Sequence, residues 1–477
     1  MSRLVVGPFN RVEGDLELTL DVEDGRVAEA RVATTLYRGF EQILVGRPAG
    51  DALTIAPRIC GICSVSQSLA AAAVLRELCG VQPPRNGELA ANLAHAAENI
   101  ADHLSHFYLF FMPDFCRAEY ASKPWHGEIH KRFKAVEGSA ARDMLPARAR
   151  LLHIMGLIAG KWPHSLALQP GGVTRALDLG GKMRLLAILG DFRAFAEKHL
   201  FGAPLEQIAA LETPEQLAAF AEGPGDFAAF LRVARDLRLD TLGRCALPLM
   251  SFGAYHTAEG ALFPAGVADA AGAALPMGAI GEQVASSFFA DSAEDPALSF
   301  TTPDMERAQA YSFAKAPRLD GRPAETGAVA RQAVAGHKLV RALLGDARGS
   351  HVLVRVVARV LEIAAVALAA ENWARALDVR ESFCAASAAA VKGAGVGRIE
   401  AARGALGHWV SVERGVIRSY QIIAPTTWNF SPRDAAGVPG PLEQALVGVE
   451  TGAQGAKAAA IQHVVRSFDP CMVCTAH

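Results

Sequence analysis

Two pairs of cysteines determine what chemistry this sequence can perform. Cys60 and Cys63 lie in the segment R-I-C-G-I-C, directly before a predicted helix, and Cys471 and Cys474 lie in D-P-C-M-V-C-T-A-H at the end of the printed chain. A C-x-x-C spacing brings two sulfur atoms within reach of one metal ion, and the helix amino terminus after Cys63 favours thiolate over thiol. Four thiolates are soft ligands that suit zinc, iron–sulfur clusters, Cu(I) or nickel.

The simplest alternative for these pairs is a structural zinc site with four cysteine ligands. A zinc ribbon spaces its pairs by roughly 15–20 residues, whereas here they are about 400 residues apart, which argues against a local zinc knuckle. Thioredoxin-like proteins also contain C-x-x-C, but the βαβ context that they need is missing here. The remaining cysteines lie in apolar or helical contexts that are typical of small buried residues: Cys79, Cys116, Cys245 and Cys384.

Composition excludes several classes of protein. The chain has 477 residues, of which 51% are hydrophobic, so it can bury a large core. Its net charge of −2 gives no reason to expect a nucleic-acid or anionic-membrane partner. No targeting segment is visible at the start, and the most apolar stretch, 351–377, is interrupted by charged residues and is too polar to span a bilayer. We therefore expect a cytoplasmic protein with no membrane span.

The periodicity of apolar residues predicts a mainly α-helical, α+β protein with small β elements. No repeat or linker divides the sequence, so we expect one domain over residues 1–477. Its expected parts are an N-terminal β-hairpin at about 1–45, a helical body at about 64–400 with a strand- and loop-rich insert at about 249–316, and a C-terminal hairpin with a metal-binding tail at about 408–477. The predicted helices are 64–78, 88–111, 147–158, 182–199, 214–221, 226–237, 328–344 and 351–377.

The cysteine motifs resemble those of the large subunit of nickel–iron hydrogenases, and the resemblance covers nearly the whole chain. Further matching stretches are R-V-E-G-D at 11–15, Y-R-G-F-E at 37–41, H-L-S-H-F-Y at 103–108, A-G-K-W-P-H at 159–164, A-R-G at 402–404 and S-P-R-D at 431–434. The resemblance implies the large, helical bundle-like body of that family. It also implies a binuclear nickel–iron centre that splits or forms H2.

By the same resemblance, Cys60 and Cys471 bind nickel alone, while Cys63 and Cys474 bridge nickel and iron. The iron would carry CO and cyanide, which no feature of the sequence can show. The chain has no further cysteine cluster for an iron–sulfur relay, so a separate small subunit with Fe–S clusters is implied as electron partner.

Three other side chains acquire roles from the resemblance. Glu13 matches the family's proton acceptor beside a nickel-bound thiolate, and a carboxylate suits that task when H2 is cleaved heterolytically. Arg403 matches the arginine whose guanidinium lies over the metals, and Asp102 and Asp469 match the carboxylates that hold it. Without the resemblance, Glu13 would be a solvated carboxylate at the end of a strand, Arg403 a surface residue and Asp102 part of an ordinary core face.

A second metal site is implied under the tail. Glu41 and His477 resemble ligands of a magnesium or similar hard ion, with a backbone carbonyl near Ile423 as a third ligand. Carboxylate and carbonyl oxygens suit Mg²⁺, whereas histidine is a less usual partner. The alternative for Glu41 is a surface carboxylate.

The sequence departs from the ordinary pattern of the family in several places. These departures are Gln67 and Asp15 where histidine is usual, Ala402 where proline is common, Ile62 in place of valine, Phe110 in place of leucine, and the absence of residues after His477. Together they resemble the H2-sensing, or regulatory, subgroup, which turns over H2 slowly and reports it to the histidine kinase of a two-component system. An energy-conserving uptake hydrogenase is the alternative. A non-enzymatic relative of respiratory-complex subunits is a third hypothesis, against which the four cysteines argue.

Ile62 and Phe110 also support a prediction about gas access. Ile62 lies between two metal ligands, and Phe110 is about two helical turns from Asp102, so both are expected to line the approach to the metals. Each is larger than the residue common in the family, and in a close-packed interior even one methylene is felt. We therefore expect a narrow gas channel and tolerance to oxygen, with ordinary core filling as the alternative.

Overall fold

The structure, a computed structural model, describes residues 2–345, 349–452, 455 and 458–477. Within these residues, helices form most of the regular structure, accompanied by five small antiparallel sheets. The predicted α+β class, mainly helical with small β elements, is confirmed.

The thirteen described strands are β1 Ser2–Val6, β2 Leu16–Glu23, β3 Arg26–Thr34, β4 Leu168–Gln169, β5 Gly172–Val173, β6 Leu249–Thr257, β7 Gly260–Ala268, β8 Ala274–Leu275, β9 Ile280–Gln283, β10 Ala316–Leu319, β11 Lys392–Ala401, β12 Gly404–Glu413 and β13 Val416–Ile423. Three sheets have three strands each, in the orders β1-β2-β3, β6-β7-β8 and β11-β12-β13. The strand pairs β4-β5 and β9-β10 form the other two.

The α-helices in the described residues are α1 Phe40–Leu44, α2 Ala52–Ile55, α3 Ser64–Cys79, α4 Arg85–Ser105, α5 His126–Phe133, α6 Ser139–Ile158, α7 Leu179–Phe195, α8 Leu205–Ala209, α9 Pro214–Phe220, α10 Asp226–Asp236, α11 Ala328–Val334, α12 Lys338–Leu344, α13 Val352–Ala376, α14 Pro425–Asn429, α15 Pro441–Leu446, α16 Ala459–Ser467 and α17 Met472–Thr475. Two π-helical segments, His106–Phe111 and Ala196–Phe201, continue α4 and α7.

Three sequence-based expectations need correction. The helix expected over 88–111 is α-helical only to Ser105 and continues as a π-helix, which changes the direction of the side chains that follow. The helix expected over 328–344 is two helices, because Gly336 between them has a φ of +79° that a helix cannot contain. The end of the predicted helical body, from residue 392 onward, belongs to strand β11. Both expected hairpins are present as the pairs β2-β3 and β12-β13, and each carries one further strand.

Helix α3 packs directly on the sheet β11-β12-β13, and this contact places the first cysteine pair. Strand β11 approaches α3 so closely that a Cβ atom at Gly397 would lie 2.1 Å from the carbonyl oxygen of Ala70. Only glycine is compatible with such a backbone contact. The apolar cluster between helix and sheet includes all four cysteines of the two C-x-x-C pairs.

Helices α4 and α13 pack against each other in the main core and carry buried polar side chains toward its centre. Helix α13, the most apolar stretch of the sequence, contains buried Arg355, Arg359 and Glu362. Among the described helices, none combines the length and the apolar character that crossing a membrane requires.

Candidate metal centre

The four cysteines predicted to bind metal meet inside the protein. Their Sγ atoms all lie within 4.8 Å of one another. Cys471 and Cys474 are 2.9 Å apart, Cys63 and Cys474 are 3.2 Å apart, and Cys60 and Cys471 are 3.5 Å apart. All four are buried and none forms a disulfide. Within the described part of the chain, no other group of three or more metal-binding side chains comes this close together.

The first pair is held by the start of helix α3. Cys60 is extended after a short 3-10 turn, and Cys63 is the N-cap residue of α3. The first amide groups of the helix would lack partners, but the buried carboxylate of Glu98 accepts hydrogen bonds from the backbone N–H groups of Val65 and Ser66 at 2.8 and 2.9 Å. A side chain from α4 therefore caps the helix and fixes the position of Cys63.

The second pair is held by the N-terminal segment and by α14. The backbone of Glu13 pairs with the tail, accepting a hydrogen bond from Met472 N at 2.7 Å and donating one to Pro470 O at 3.4 Å. Gly14 has a φ of +81°, and a Cβ there would lie 3.0 Å from Val473 N, so the close contact requires glycine. Cys471 N donates to the hydroxyl of Thr426 at 3.0 Å.

The donor set fits a soft metal centre. Hydrogen bonds from neighbouring thiols, above all Cys471, lower the pKa of Cys60 well below its ordinary value. Hydrogen bonds with Cys471, aided by burial, raise the pKa of Cys63 and Cys474. Cys60 therefore loses its proton more easily than Cys63 and Cys474 do. A bound cation would displace the remaining protons, because metals bind the thiolate form of cysteine. Four thiolates suit zinc as well as nickel with iron, so the cysteines alone do not identify the metal. The side chains around them help to distinguish a structural zinc site from a redox-active centre.

Arg403 is the first side chain near the cysteines that bears on the identity of the metal. It follows β11, is buried, and donates to Asp102 Oδ2 at 2.6 Å and to Asp469 Oδ1 at 3.1 Å. Burial raises the pKa of Asp102 to about 7, whereas for Asp469 the effect of burial is outweighed by the charges of Arg403, His106, Arg359 and His103 together, and the pKa is lowered. The second carboxylate oxygen of each aspartate has no partner among the described residues. The structure therefore brings together the three residues that the sequence predicted to form this group.

Glu13 is the second side chain near the cysteines that bears on the identity of the metal. It is half-buried, and burial, followed by the nearby charge of Cys60, raises its pKa. A titratable carboxylate and a fixed guanidinium are not required to hold a structural zinc ion, whereas both suit a site where protons move.

The residues predicted to bind a hard ion also lie close together, with one shift in position. Glu41 lies in α1 and is buried, and His477 Nε2 is 3.6 Å from its Oε1. His477 Nε2 also lies 2.6 Å from the carbonyl oxygen of Ile422, so the carbonyl in reach belongs to Ile422 and not to Ile423. Successive residues of a strand point to opposite sides, and β13 therefore presents only one of the two carbonyls to this site.

A lysine already neutralises part of the hard-ion site. The buried ammonium of Lys315 is 2.6 Å from Gln421 Oε1, 3.3 Å from Glu41 Oε2 and 3.4 Å from Glu282 Oε2. Two buried carboxylates thus face one ammonium, and Glu282 Oε1 has no partner among the described residues. Burial raises the pKa of Glu282 to about 7. The oxygen-rich set with unmatched negative charge fits one further hard cation.

The two predicted gas-channel residues have different environments. Ile62 is half-buried and packs on the apolar cluster that contains the cysteines. Phe110 is half-buried in the π-helical segment, and its carbonyl accepts a hydrogen bond from Arg11 at 3.2 Å. The π-helical segment that begins at His106 has a wider turn than an α-helix, so the α-helical spacing from Asp102 does not by itself fix the direction of Phe110. A channel lined by both residues stays a prediction.

Several residues of the site were missed by sequence reasoning. Gln67, noticed only as a departure, accepts a hydrogen bond at Oε1 from His408 Nε2 at 2.8 Å, and Tyr420 OH donates to His408 Nδ1 at 2.8 Å. Glu98 and Lys315 were also missed. The only signal for these residues was a polar side chain within an apolar run, which by itself does not indicate a partner.

Comparison with known proteins agrees with this site. The fold and the site define a mainly helical protein built around a buried group of four cysteine sulfurs. The family model described as nickel-dependent hydrogenase matches residues 38–128 and 142–477, so the chain belongs to the nickel-dependent hydrogenase family and is a catalytic large subunit of that family.

Individual relatives match over nearly their whole length. The large subunit of the periplasmic [NiFeSe] hydrogenase of Desulfomicrobium baculatum is 28% identical, with 100% of this chain and 95% of the relative covered. The Hydrogenase-2 large chain of Escherichia coli is 26% identical, with 100% and 97% covered. The reduced Ni-Fe-Se hydrogenase of D. vulgaris Hildenborough superposes with a TM-score of 0.85 at 28% identity, covering 100% of both chains.

Proposed function

We propose that this chain activates H2 at a nickel–iron centre in which Cys60 and Cys471 bind nickel alone and Cys63 and Cys474 are shared with iron. The observation that carries the proposal is the convergence of four buried sulfur atoms beside a buried, fully oriented arginine. When bound, the centre supplies a redox-active Lewis acid for H2. CO and cyanide on the iron are part of the proposal.

The chain's own residues prepare the site for heterolytic cleavage. The Glu13 carboxylate accepts the proton that leaves H2, because it is half-buried beside Cys60 and its backbone is fixed to the tail. Arg403 provides a fixed positive charge, and its two aspartate partners prevent it from rotating away. Burial of the whole group excludes bulk water and strengthens these interactions.

We assign the hard-ion site to Mg²⁺ or a similar ion, held by Glu41, His477 and the carbonyl of Ile422. The unmatched carboxylate charge around Lys315 supports this assignment. A small subunit with Fe–S clusters is the proposed electron partner, since the described residues offer no second cysteine group for a relay.

The finer proposal is that the chain is the H2-activating subunit of a regulatory hydrogenase, with low turnover and a histidine kinase as signalling partner in the cytoplasm. It is supported by Gln67 and Asp15, which replace the usual histidines, and by Ile62 and Phe110. Tolerance to oxygen belongs to the same proposal. The alternative, an energy-conserving uptake enzyme, is favoured by relatives named as an uptake hydrogenase, a quinone-reactive hydrogenase and a periplasmic one.

Deletion of the gene separates the two functions. A sensor predicts that deletion changes the H2-dependent expression of other hydrogenases more than it changes total H2 uptake. Complementation with a Cys471→Ser variant, which keeps the chain but removes a metal ligand, should fail to restore regulation. Collapse of H2 uptake with intact regulation would establish the uptake enzyme instead.

A further inference from the structure

Four consecutive backbone carbonyls, at residues 466–469, bind buried side chains just before the metal-binding tail. His106 Nε2 donates to Arg466 O at 2.6 Å. Arg359 Nη1 donates to Ser467 O at 2.6 Å, and its Nη2 donates to Phe468 O at 3.0 Å. Arg403 Nε donates to Asp469 O at 2.9 Å. We call this group of donors the tail anchor: His106, Arg359 and Arg403.

The position of Arg359 requires an explanation because buried arginines are costly without a carboxylate partner. Its neighbour on α13, Arg355, is paired with Glu325 at 2.8 Å, whereas the described residues place no carboxylate within salt-bridge distance of Arg359. Its Nε has no partner among them, and burial lowers its pKa to about 10. The guanidinium is instead directed at backbone carbonyls.

Those carbonyls lie at the end of α16, where a helix leaves acceptors without partners and carries partial negative charge. A cation there is favourable, and a guanidinium can bind two adjacent carbonyls at once. The guanidinium of Arg355 also lies 3.8 Å from the centre of the Phe468 ring. The next residue, Asp469, has a φ of +56°, a left-handed conformation that aspartate tolerates better than most residues other than glycine and that ends the helical direction of the chain.

We propose that Arg359 is a positioning residue that fixes where the tail begins, and thereby places Asp469, Cys471 and Cys474 in the metal centre. His106 and Arg403 hold the carbonyls on either side. The inference rests on the proposed function only in that Cys471 and Cys474 are taken as metal ligands. The competing explanation is that Arg359 merely fills a polar gap in the core.

The test uses the purified complex with the full chain and hydrogen exchange measured by mass spectrometry. Arg359→Met keeps the length of the side chain and removes both hydrogen bonds to the tail. We expect amide exchange in residues 468–477 to increase roughly tenfold to a hundredfold relative to the parent, because local opening reports the lost contacts. Arg359→Lys, which keeps the charge and can reach one carbonyl, should restore part of the protection.

Arg318→Met is the matched control. Arg318 is equally buried and binds Asp434 at 2.8 Å and the carbonyl of Val438 at 3.0 Å, which lie outside the tail. It should lower stability without selectively exposing residues 468–477. Nickel bound per chain is the second readout and should fall in Arg359→Met more than in the control.

Three outcomes decide the proposal. If both methionine variants raise tail exchange equally, or if Arg359→Met raises it no more than elsewhere in the chain, Arg359 is a core residue and the inference is wrong. If Arg359→Met fails to fold, the same comparison is made with Arg359→Lys, whose tail must then exchange faster than the parent's. If the tail loosens selectively but the parent itself contains no nickel, the anchor stands and the proposed function fails.

Discussion

The two halves of the metal centre share one apolar cluster but differ in what holds their backbone. Cys60 and Cys63 belong to a scaffold in which α3 packs on the sheet β11-β12-β13, with backbone contact at Gly397. Cys471 and Cys474 lie in the same cluster, but on a short tail whose backbone is also fixed by hydrogen bonds from other parts of the chain. The tail has no long helix or strand of its own, so it depends on these few hydrogen bonds in addition to packing.

The centre therefore combines one pair of cysteines on a packed helix and sheet with a second pair on a short, hydrogen-bonded tail. A substitution near the first pair should be absorbed by packing and alter access or stability. A substitution near the tail should alter the chemistry itself, because Glu13 and Asp469 are tied to the same backbone as the ligands.

The largest expected effect tests whether the two halves are equivalent as ligands. Replacing Cys60, Cys63, Cys471 or Cys474 by serine should reduce bound nickel to background and abolish H2 activation, because a hydroxyl is a poor ligand for a soft metal. Cys245→Ser, a buried cysteine outside the centre, is the control and should retain nickel. Full nickel content in any of the four variants would remove that cysteine from the ligand set.

The second prediction concerns the tail side alone. Glu13→Gln should keep both metals but slow H2/D⁺ exchange by about 10²–10⁴-fold, because a carboxamide of nearly the same shape cannot accept a proton. Asp15→Asn, two residues further on and exposed, serves as control and should exchange at the parental rate. An unchanged rate in Glu13→Gln means that protons leave by another route.

The third prediction concerns the side of the first pair. The double change Ile62→Val with Phe110→Leu should widen the approach to the metals, so that H2 oxidation becomes sensitive to air while anaerobic activity is roughly preserved. Ile59→Val, a buried change next to Cys60, controls for simple loosening of the core. If the double variant keeps its activity in air as well as its parent does, Ile62 and Phe110 do not restrict the gas channel. Any tolerance to oxygen must then come from the metals or from the partner subunit.

The smallest expected effect lies behind the first pair. Tyr420→Phe removes the hydrogen bond to His408 Nδ1 and should lower the free energy of unfolding by about 1 kcal/mol in a denaturant titration. Nickel content should stay at the parental level, because packing holds this half. A loss of nickel in this variant would show that the hydrogen bonds from Tyr420 to His408 and from His408 to Gln67 help to retain the metals.

The sequence was most informative where a motif and a periodicity coincide. The long helices α3 and α13 follow from their apolar spacing, and the four cysteines follow from the C-x-x-C motifs and the resemblance. Only the second part of α6 was predicted, because the helix begins at Ser139 and continues through Pro146. The group of Arg403 with Asp102 and Asp469 was also predicted, although only the resemblance indicated it. A local pattern was sufficient for the helices, whereas the residues of the metal centre also needed the resemblance.

Features that depend on tertiary contacts could not be read in this way. The π-helical segment that contains Phe110, and the choice between the carbonyls of Ile422 and Ile423, are details at the level of a single residue, which hydrophobic periodicity does not resolve. Lys315 and Arg359 are charged residues in apolar surroundings, and their partners are distant in sequence. Long-range hydrogen bonds leave no local signal, so neither residue could be assigned to the hard-ion site or to the tail.

Infrared spectroscopy of the purified complex tests the central claim most directly. Stretching bands of metal-bound CO and cyanide, which ordinary protein groups do not produce, should be present and should shift when H2 is supplied. The Cys471→Ser variant should lack these bands. Their absence from the parent complex, with zinc as the metal held by the four cysteines, would contradict a nickel–iron centre.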